Sequence, residues 1–528
     1  MAADEILKQN LKALIECGQT EIAQWLQTAP FSQRVESMQA KDGAAVLAVD
    51  GRLQDSQYFP KRQIQELLDE TLVAYSKEHQ AHLFGLGSPQ LLLDALKRTG
   101  RLTVFESDPV VAKAALEILD LKEPISKGEL RFLAPFSLAM GYSPSLSYLL
   151  ITHSASQRRQ EAAYVGFRRR LGGPKKLTLD ETGKTRILIA PPFSGGSLSM
   201  GEFLARAALE LGHASKLVSY SPALIAQASA LKDSGAGSAQ SIFKKAAEEV
   251  ASLAVEFGAA LILCLAQAPL DARAIESIAQ RSGAMTAFWF VEDYKRFGYV
   301  KEVAPAYDLF FHIQGDLLNK SLIDWGVAKA WYLPLAADES VFFPQTAPAD
   351  YRAVLSFLGA PYPNRRKLLV EIARFWKRLG KKPDDFKIFG IGKEFAPAEL
   401  APHLFEDGRR LTPQQCPLVY AGSRINLNIH SSESEGFNPQ SAFVNPRTFE
   451  VAASGGFQIV DQRPLMEGLF SAEELCLVSE PSELSAAIEH ALKEPRKAQA
   501  MAEASRARVL KEHLYAHRLS FIVKSASI

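Results

Sequence analysis

Apolar residues recur at helical spacing from residue 4 to 27, where Ile6, Leu11, Leu14, Ile15, Ile22, Trp25 and Leu26 predict an opening helix or helix pair. From Ala44 the pattern changes. Short apolar and β-branched runs at 44–50, 82–87, 102–106 and 130–134 read as strands, and the stretches between them, 63–75, 89–97 and 109–119, as helices. This alternation is the βαβ rhythm of a parallel sheet. Between 154 and 184 the rhythm lapses into a basic stretch in which Arg168, Arg169 and Arg170 precede Leu-Gly-Gly-Pro-Lys-Lys. It predicts a connecting segment, with the charges on a solvated linker or helix face rather than on a nucleic-acid patch.

A second series opens with a strand at 186–190 and a helix at 200–211, followed by strands at 215–220, 259–265, 287–291, 309–314 and 329–333. A third has strands at 354–358, 386–390, 425–429, 457–460 and 476–478. Its helices are predicted at 365–379, 418–424, 446–454, 481–492 and 497–513. The pattern therefore divides the chain into three α/β units, 1–170, 185–345 and 346–528, with no internal repeat that would suggest a solenoid.

Composition narrows the picture. The 528 residues, 47% hydrophobic and 23% charged, suit about three globular domains at roughly 100 to 200 residues each. Lys and Arg number 60 against 59 Asp and Glu, so no global charge draws the chain to nucleic acid. Cys17, Cys264, Cys416 and Cys476 lie far apart, without a CxxC pair for zinc, and favour a reducing compartment. With no basic-apolar leader and no stretch near the roughly 20 apolar residues of a membrane span, the expectation is a cytoplasmic protein without a transmembrane segment.

Consecutive Rossmann-like units suggest a cleft where the carboxyl ends of two sheets face each other. The most informative segment runs Ile425-Asn-Leu-Asn-Ile-His430, then Ser-Ser-Glu-Ser-Glu-Gly-Phe-Asn438, then Asn445-Pro-Arg447-Thr-Phe-Glu450-Val-Ala-Ala-Ser-Gly455-Gly. It reads as strand, polar loop and helix. Pro446 fits the first helical position, and the exposed N–H groups of a helix start suit a phosphate. Arg447 would add a fork of donors to the same anion. Glu450, one turn on, is placed to accept from a sugar or ribose hydroxyl pair, with local pairing as its other reading. His430 is either catalytic or a satisfied core histidine. Arg365 and Arg366, at a helix start, would neutralise a diphosphate, or form an exposed basic turn.

The run from Val354 to the C-terminus resembles the C-terminal domain of GT-B glycosyltransferases, in the branch of group 1 enzymes that includes the CgeB-like spore-maturation proteins. The matching motifs are Phe357-Leu-Gly-Ala-Pro-Tyr-Pro-Asn-Arg365-Arg366, Asn426-Leu-Asn-Ile-His430, the Asn445 to Gly456 helix and Ser479-Glu-Pro-Ser-Glu-Leu484. The resemblance implies a nucleotide-diphosphate sugar donor, bound through Asn438, Asn445, Arg447, Glu450 and Gly455, with Glu450 on the ribose and with no cofactor or metal required. Glu435 and Glu450 stand farther apart than the paired glutamates of ordinary group 1 enzymes, so neither retention nor inversion is implied.

Upstream, Ile187-Leu-Ile-Ala-Pro-Pro-Phe-Ser-Gly195-Gly196-Ser is similar to the first strand and loop of the GT-B N-terminal domain. Its glycine pair would face the donor, or simply make a tight turn. Trp289-Phe-Val-Glu292-Asp293 places two carboxylates at a strand's end, where Asp293, with Glu292 beside it, would deprotonate an acceptor hydroxyl or else cap a helix.

In the first unit, Gly85 and Gly87 follow a strand, and Glu106 ends the next, the layout of a nucleotide-binding half-fold without its full fingerprint. With Asp55-Ser-Gln-Tyr-Phe-Pro60, the segment resembles the N-terminal domain of Maf-type flagellin glycosylation proteins. The expectation is thus α/β throughout, a GT-B pair of Rossmann-like domains preceded by a third Rossmann-like domain for acceptor binding or self-association, and hence a homo-oligomer. The expected reaction is sugar transfer to a protein hydroxyl, with flagellin-like Ser or Thr as the leading acceptor. Surface polysaccharide or lipid-linked glycan assembly, a bifunctional glycosyltransferase and methyltransferase, and an inactive scaffold are the alternatives.

Overall fold

The computed structural model describes residues 3–30, 34–73, 75–76, 79–144, 147–173, 175–230, 237–438 and 442–527. Three parallel sheets follow one another along the chain, as the alternating pattern requires. A four-stranded sheet orders Leu130–Leu133, Leu102–Phe105, Gln80–Phe84 and Tyr148–Thr152. A six-stranded sheet runs Ala330–Tyr332, Leu309–His312, Met285–Phe290, Leu261–Leu265, Arg186–Ala190 and Ala214–Leu217. A five-stranded sheet runs Phe386–Phe389, Ala353–Leu358, Ser423–Asn428, Gln458–Asp461 and Cys476–Val478. The central strands, such as Leu261–Leu265 and Met285–Phe290, are buried at every position, because helices cover both faces of a parallel sheet.

Three differences from the sequence pattern have physical reasons. The first predicted strand forms as Ala45–Val49 but pairs antiparallel with Val35–Gln39 and with Arg52–Leu53, in a small sheet of its own. Asp50 and Gly51, both at positive φ, make the tight hairpin that fixes this direction. The stretch after residue 154 is helical, as Ser154–Arg159 and Glu161–Leu171. Arg169 packs against the six-stranded sheet rather than facing solvent, donating to Glu276 at 3.1 Å and to Thr286 at 2.7 Å and lying 3.2 Å from Asp308. Arg170 turns back to the Tyr142 carbonyl at 2.9 Å, and Arg168 stays partly exposed.

The third difference is a final helix, Tyr515–Ser527, that returns from the five-stranded sheet to the six-stranded one. Arg518 donates to the carbonyls of Pro334 at 2.8 Å and Leu335 at 3.0 Å, and Leu177 N–H donates to Ala526 at 2.8 Å. Tyr515 packs edge-on against Trp289. One apolar core thereby runs continuously from Ile187 through Tyr515 to Phe449, holding the two larger sheets together.

Candidate functional site

Strand direction decides where the chemistry lies. The carboxyl ends of Met285–Phe290 and Ser423–Asn428 open onto one cavity of about 610 Å³, lined from one side by Gly196, Glu292 and Asp293 and from the other by Arg365, Asn438, Asn445 and Arg447. Seven residues singled out in the sequence therefore meet, although they come from two sheets.

On the five-stranded side, helix Pro446–Ala453 starts at this cavity. Asn445 caps it, its Oδ1 accepting from Thr448 N–H at 3.0 Å while its Nδ2 donates to Asn428 at 2.9 Å. That start is held by a buried chain behind it. Asn445 N–H donates to His430 Nε2 at 3.0 Å, His430 Nδ1 meets Asp461 at 2.8 Å, and Arg463 donates to Asp461 at 2.7 Å. With an N–H directed at its Nε2, His430 is the neutral Nδ1-protonated tautomer, and burial lowers its pKa accordingly. Burial would raise the Asp461 carboxyl, but His430 and Arg463 outweigh it and hold the acid well below the usual carboxylate range. His430 lies outside the cavity lining and shapes the helix start from behind.

Two guanidiniums converge in front of that start. A Cβ placed on Gly359 would lie 3.2 Å from Arg365 Nη1 and 3.4 Å from Arg447 Nη2, so both cations reach the same spot. Arg365 is anchored by its Nε to the Ile429 carbonyl at 2.9 Å, and burial together with the neighbouring Arg447 brings its pKa down to about 9. Arg447 donates weakly to Asn428 at 3.5 Å, and its buried Nε has no hydrogen-bond partner among the described residues. Neither arginine forms an ion pair with a described carboxylate. Paired cations with no carboxylate at ion-pair distance among the described residues, though Glu450 and Asp461 act on them from farther off, make the helix N-terminus suited to an anion such as a diphosphate.

Across the cleft, Glu292 accepts from Gln267 Nε2 at 2.9 Å, and burial raises its pKa against that hydrogen bond. Asp293 Oδ1 accepts from Lys295 N–H at 2.9 Å and from Gln314 Nε2 at 3.3 Å, which fixes the carboxylate at the rim. Gly195, at φ 108°, makes the turn that only glycine tolerates, whereas Gly196 lies in the open with nothing within 4 Å of an added Cβ. Both lead into helix Leu198–Glu210.

Arg366, Glu450 and Gly455 do not line the cavity. The Arg366 Nε has no hydrogen-bond partner among the described residues. Gly455, at φ 73°, closes the far end of helix Pro446–Ala453 against Pro344, as a C-terminal glycine does. Glu450 lies one turn down the same helix, half-buried beside Tyr420 Oη at 3.4 Å. Burial pushes its pKa up to about 7, against the pull of Arg447 and Tyr420.

In the first unit the glycine turn is filled by the chain itself. A Cβ on Gly85 would lie 2.2 Å from Ser156 Cβ, and one on Gly87 2.8 Å from Ser156 Oγ. Glu106 points back into the fold, accepting from the N–H groups of Leu86 at 2.8 Å and of Ser107 and Asp108 at 2.9 Å each.

Sequence reading missed Arg296 and Tyr362, which join the two sides. Arg296 donates to Tyr362 Oη and lies 3.4 Å from Glu433, and the Tyr362 ring is sandwiched between Arg296 at 5.0 Å and Arg365 at 5.3 Å. It also missed Asn364, whose buried amide donates to the His430 carbonyl at 2.8 Å and accepts from Ser432 N–H at 3.0 Å. The Asn364 signal was present in the motif before Arg365; the Arg296 contact was not, because its partners are distant in sequence. Among the described residues no group of three or more His, Cys, Asp or Glu side chains is arranged to hold a metal ion, and no helix is long and apolar enough to cross a membrane.

Two parallel sheets whose carboxyl ends face one cleft, behind a third α/β unit, give the two-domain Rossmann-like arrangement of the GT-B fold. Residues 365–524, which carry the arginine pair and the capped helix, match the family model described as Glycosyl transferase-like. A curated relative, the spore protein CgeB of Bacillus subtilis (strain 168), is 28% identical over 146 residues, covering 26% of this chain and 43% of that protein. The match thus spans less than half the length of that relative. Similar solved structures include sucrose-phosphate synthase from Thermosynechococcus elongatus (13% identity, 64% of this chain and 98% of that one, TM-score 0.45). Another is Anabaena HepE in complex with UDP and glucose (12% identity, 65% and 99%, TM-score 0.43).

Proposed function

We propose that the protein is a glycosyltransferase that takes a sugar from a nucleotide-diphosphate donor held in the cleft. The observation that carries this reading is the Arg365 and Arg447 pair at the start of helix Pro446–Ala453, two cations that form no ion pair among the described residues. A departing nucleoside diphosphate gains negative charge as the glycosidic bond breaks, and donors already aimed at that charge lower the barrier. The matched Glycosyl transferase-like segment supports the same donor side, as does HepE, solved with UDP and glucose. Residues 346–528 then form the donor domain and 185–345 the acceptor-side domain. Residues 1–170 form a domain for acceptor binding or self-association.

In the proposed reaction Asp293 or Glu292 removes the proton of the acceptor hydroxyl as that oxygen attacks the anomeric carbon. Burial raises the Glu292 pKa, which makes it a stronger base than an ordinary carboxylate. Glu450 would accept from the ribose hydroxyls. The acceptor in this proposal is a protein Ser or Thr of flagellin type, a reading that rests on the Maf-type resemblance of the first unit. Transfer occurs in the cytoplasm, with no resident metal or cofactor. The filled glycine turn around Gly85 speaks against a methyltransferase site there.

The test is a thermal-shift series of wild type and Arg447→Ala against UDP, GDP, dTDP, CMP and their sugars, with S-adenosylmethionine included. Stabilisation by one diphosphate class, lost in Arg447→Ala, is expected. Absence of a shift with any nucleotide would return the chain to the inactive-scaffold reading.

A further inference from the structure

A second cavity, of about 470 Å³, lies between the four-stranded sheet and the helix Ala272–Ser282, and the proposed transfer makes no use of it. Its wall includes Tyr148, Leu150 and Thr152 of the edge strand, which pairs with Gln80–Phe84 alone. The register shows which backbone groups that pairing consumes. Gln80 N–H donates to the Ser147 carbonyl at 2.9 Å and His153 N–H to the Phe84 carbonyl at 3.1 Å. In a parallel ladder the alternate residues therefore face the neighbour, and the N–H and C=O of Tyr148, Leu150 and Thr152 point outward. These are the same three residues that line the cavity, and no described residue outside the strand pairs with their backbone.

Open edges are usually guarded by proline, charge or a bulge, and Tyr148-Leu-Leu-Ile-Thr152 carries no proline and no charge. The far wall leaves room for a chain: Gly173, at φ 82°, has nothing within 4 Å of an added Cβ. Its charges are paired, Arg168 and Arg169 with Glu276 and Asp308, except at Lys175. The Arg168 side chain is 36% exposed beside Glu276, and Lys175 is exposed without an acidic partner among the described residues. Tyr148, 37% exposed, and Tyr164 supply aromatic surface to the same groove.

We propose that this edge docks an extended segment of another polypeptide, added in the groove as a fifth strand with an acidic side chain against Lys175. Lys175, the one charged group of the groove without an ion-pair partner among the described residues, selects an acidic segment, and a second copy of this chain is an outcome of the test. The groove reaches Asp308, at the amino end of strand Leu309–His312, whereas the cleft lies at the carboxyl ends of the same sheet. Docking therefore leaves the cleft open.

The experiment uses the full chain against a positional-scanning array of acetylated, amidated heptapeptides, comparing wild type, Leu150→Val and Leu150→Pro. Proline at 150 deletes one outward N–H, an edge position where the sheet tolerates it, and Leu150→Val controls for the lost side chain. Wild type and Leu150→Val should bind peptides rich in β-branched and acidic residues, and Leu150→Pro should bind them at least tenfold more weakly. Should Leu150→Pro fail to fold, N-methylation along the best peptide serves against wild type: alternate positions should abolish binding and those between should not. The proposal is overturned if no peptide binds, if N-methylation shows no alternation, or if a folded Leu150→Pro binds as wild type does. It is equally overturned if wild type is a dimer that Leu150→Pro dissociates, which would give the edge to a second copy.

Discussion

The first unit and the cleft use the same local vocabulary of parallel strand, glycine turn, helix and acidic residue, yet they leave opposite residues unsatisfied. At Gly85 the space beside the turn is taken by Ser156, and the Glu106 carboxylate is satisfied by the N–H groups of Leu86, Ser107 and Asp108 together with the Gln160 amide and nearby Arg159. At Gly196 the space is open, and across it Arg365 and Arg447 form no ion pair among the described residues. A glycine turn permits close approach; what approaches is decided by the segment packed against it. In the first unit that segment is the chain's own helix Ser154–Arg159, so the turn contributes to stability, while in the cleft it is left for a ligand.

The largest expected effect falls on the filled turn. Gly85→Val combines a positive φ with a 2.2 Å overlap on Ser156 Cβ, and should cost about 4 kcal/mol or more in urea unfolding. An unchanged midpoint would mean that the turn is not packed as described.

The two acids, Glu106 buried and Glu450 half-buried, should respond with opposite signs. Glu106→Gln loses acceptor capacity toward three backbone N–H groups and should destabilise by roughly 2 kcal/mol. Glu450 has a folded pKa of about 7, above its ordinary 4.5. The folded state binds this proton more tightly, so the stabilisation is complete below about pH 4.5 and is lost as pH rises through 7. Glu450→Gln should therefore flatten the pH dependence and stabilise the protein at pH 8 by about 1 to 3 kcal/mol. The same variant should bind nucleoside diphosphate about tenfold more weakly if Glu450 holds the ribose. Calorimetric unfolding at pH 5 and 8, with titration of the nucleotide, reads both effects.

The smallest effect on stability belongs to the open turn. Gly196→Val meets no atom within 4 Å and should change stability by less than about 0.5 kcal/mol. It should nevertheless reduce nucleotide-sugar binding, measured by calorimetry, because the added methyl groups project into the cavity that Gly196 lines. Equal binding by both proteins would place the donor elsewhere in the cleft.

Much of this architecture was legible in the chain. Strands such as Arg186–Ala190, Leu102–Phe105 and Leu261–Leu265 coincide with short apolar runs, since burial on both faces leaves no alternation to misread. Asn445, Pro446 and Arg447 announced a helix start suited to an anion, because capping chemistry is local. The antiparallel placement of Ala45–Val49 was not legible, since an apolar run does not specify its partner. The final helix Tyr515–Ser527 was equally hidden, as its apolar face makes sense only against Leu198–Glu210 and Trp289. His430 could be read as catalytic or as core, and only its contacts with Asp461 and Asn445 place it behind the site.

The sequence by itself determined the three α/β series, the capped helix at 446 and the types of group available to an anion, because hydrophobic period and capping act over a few residues. Tertiary structure alone decided that Arg365 and Arg447 meet beside Gly359, that Arg296 reaches Tyr362 across the cleft, and that Ser156 fills the turn at Gly85. Those outcomes depend on which distant segments are brought to the same sheet edge, and whether a charge is left unpaired is a property of the packed neighbourhood rather than of any local stretch of chain.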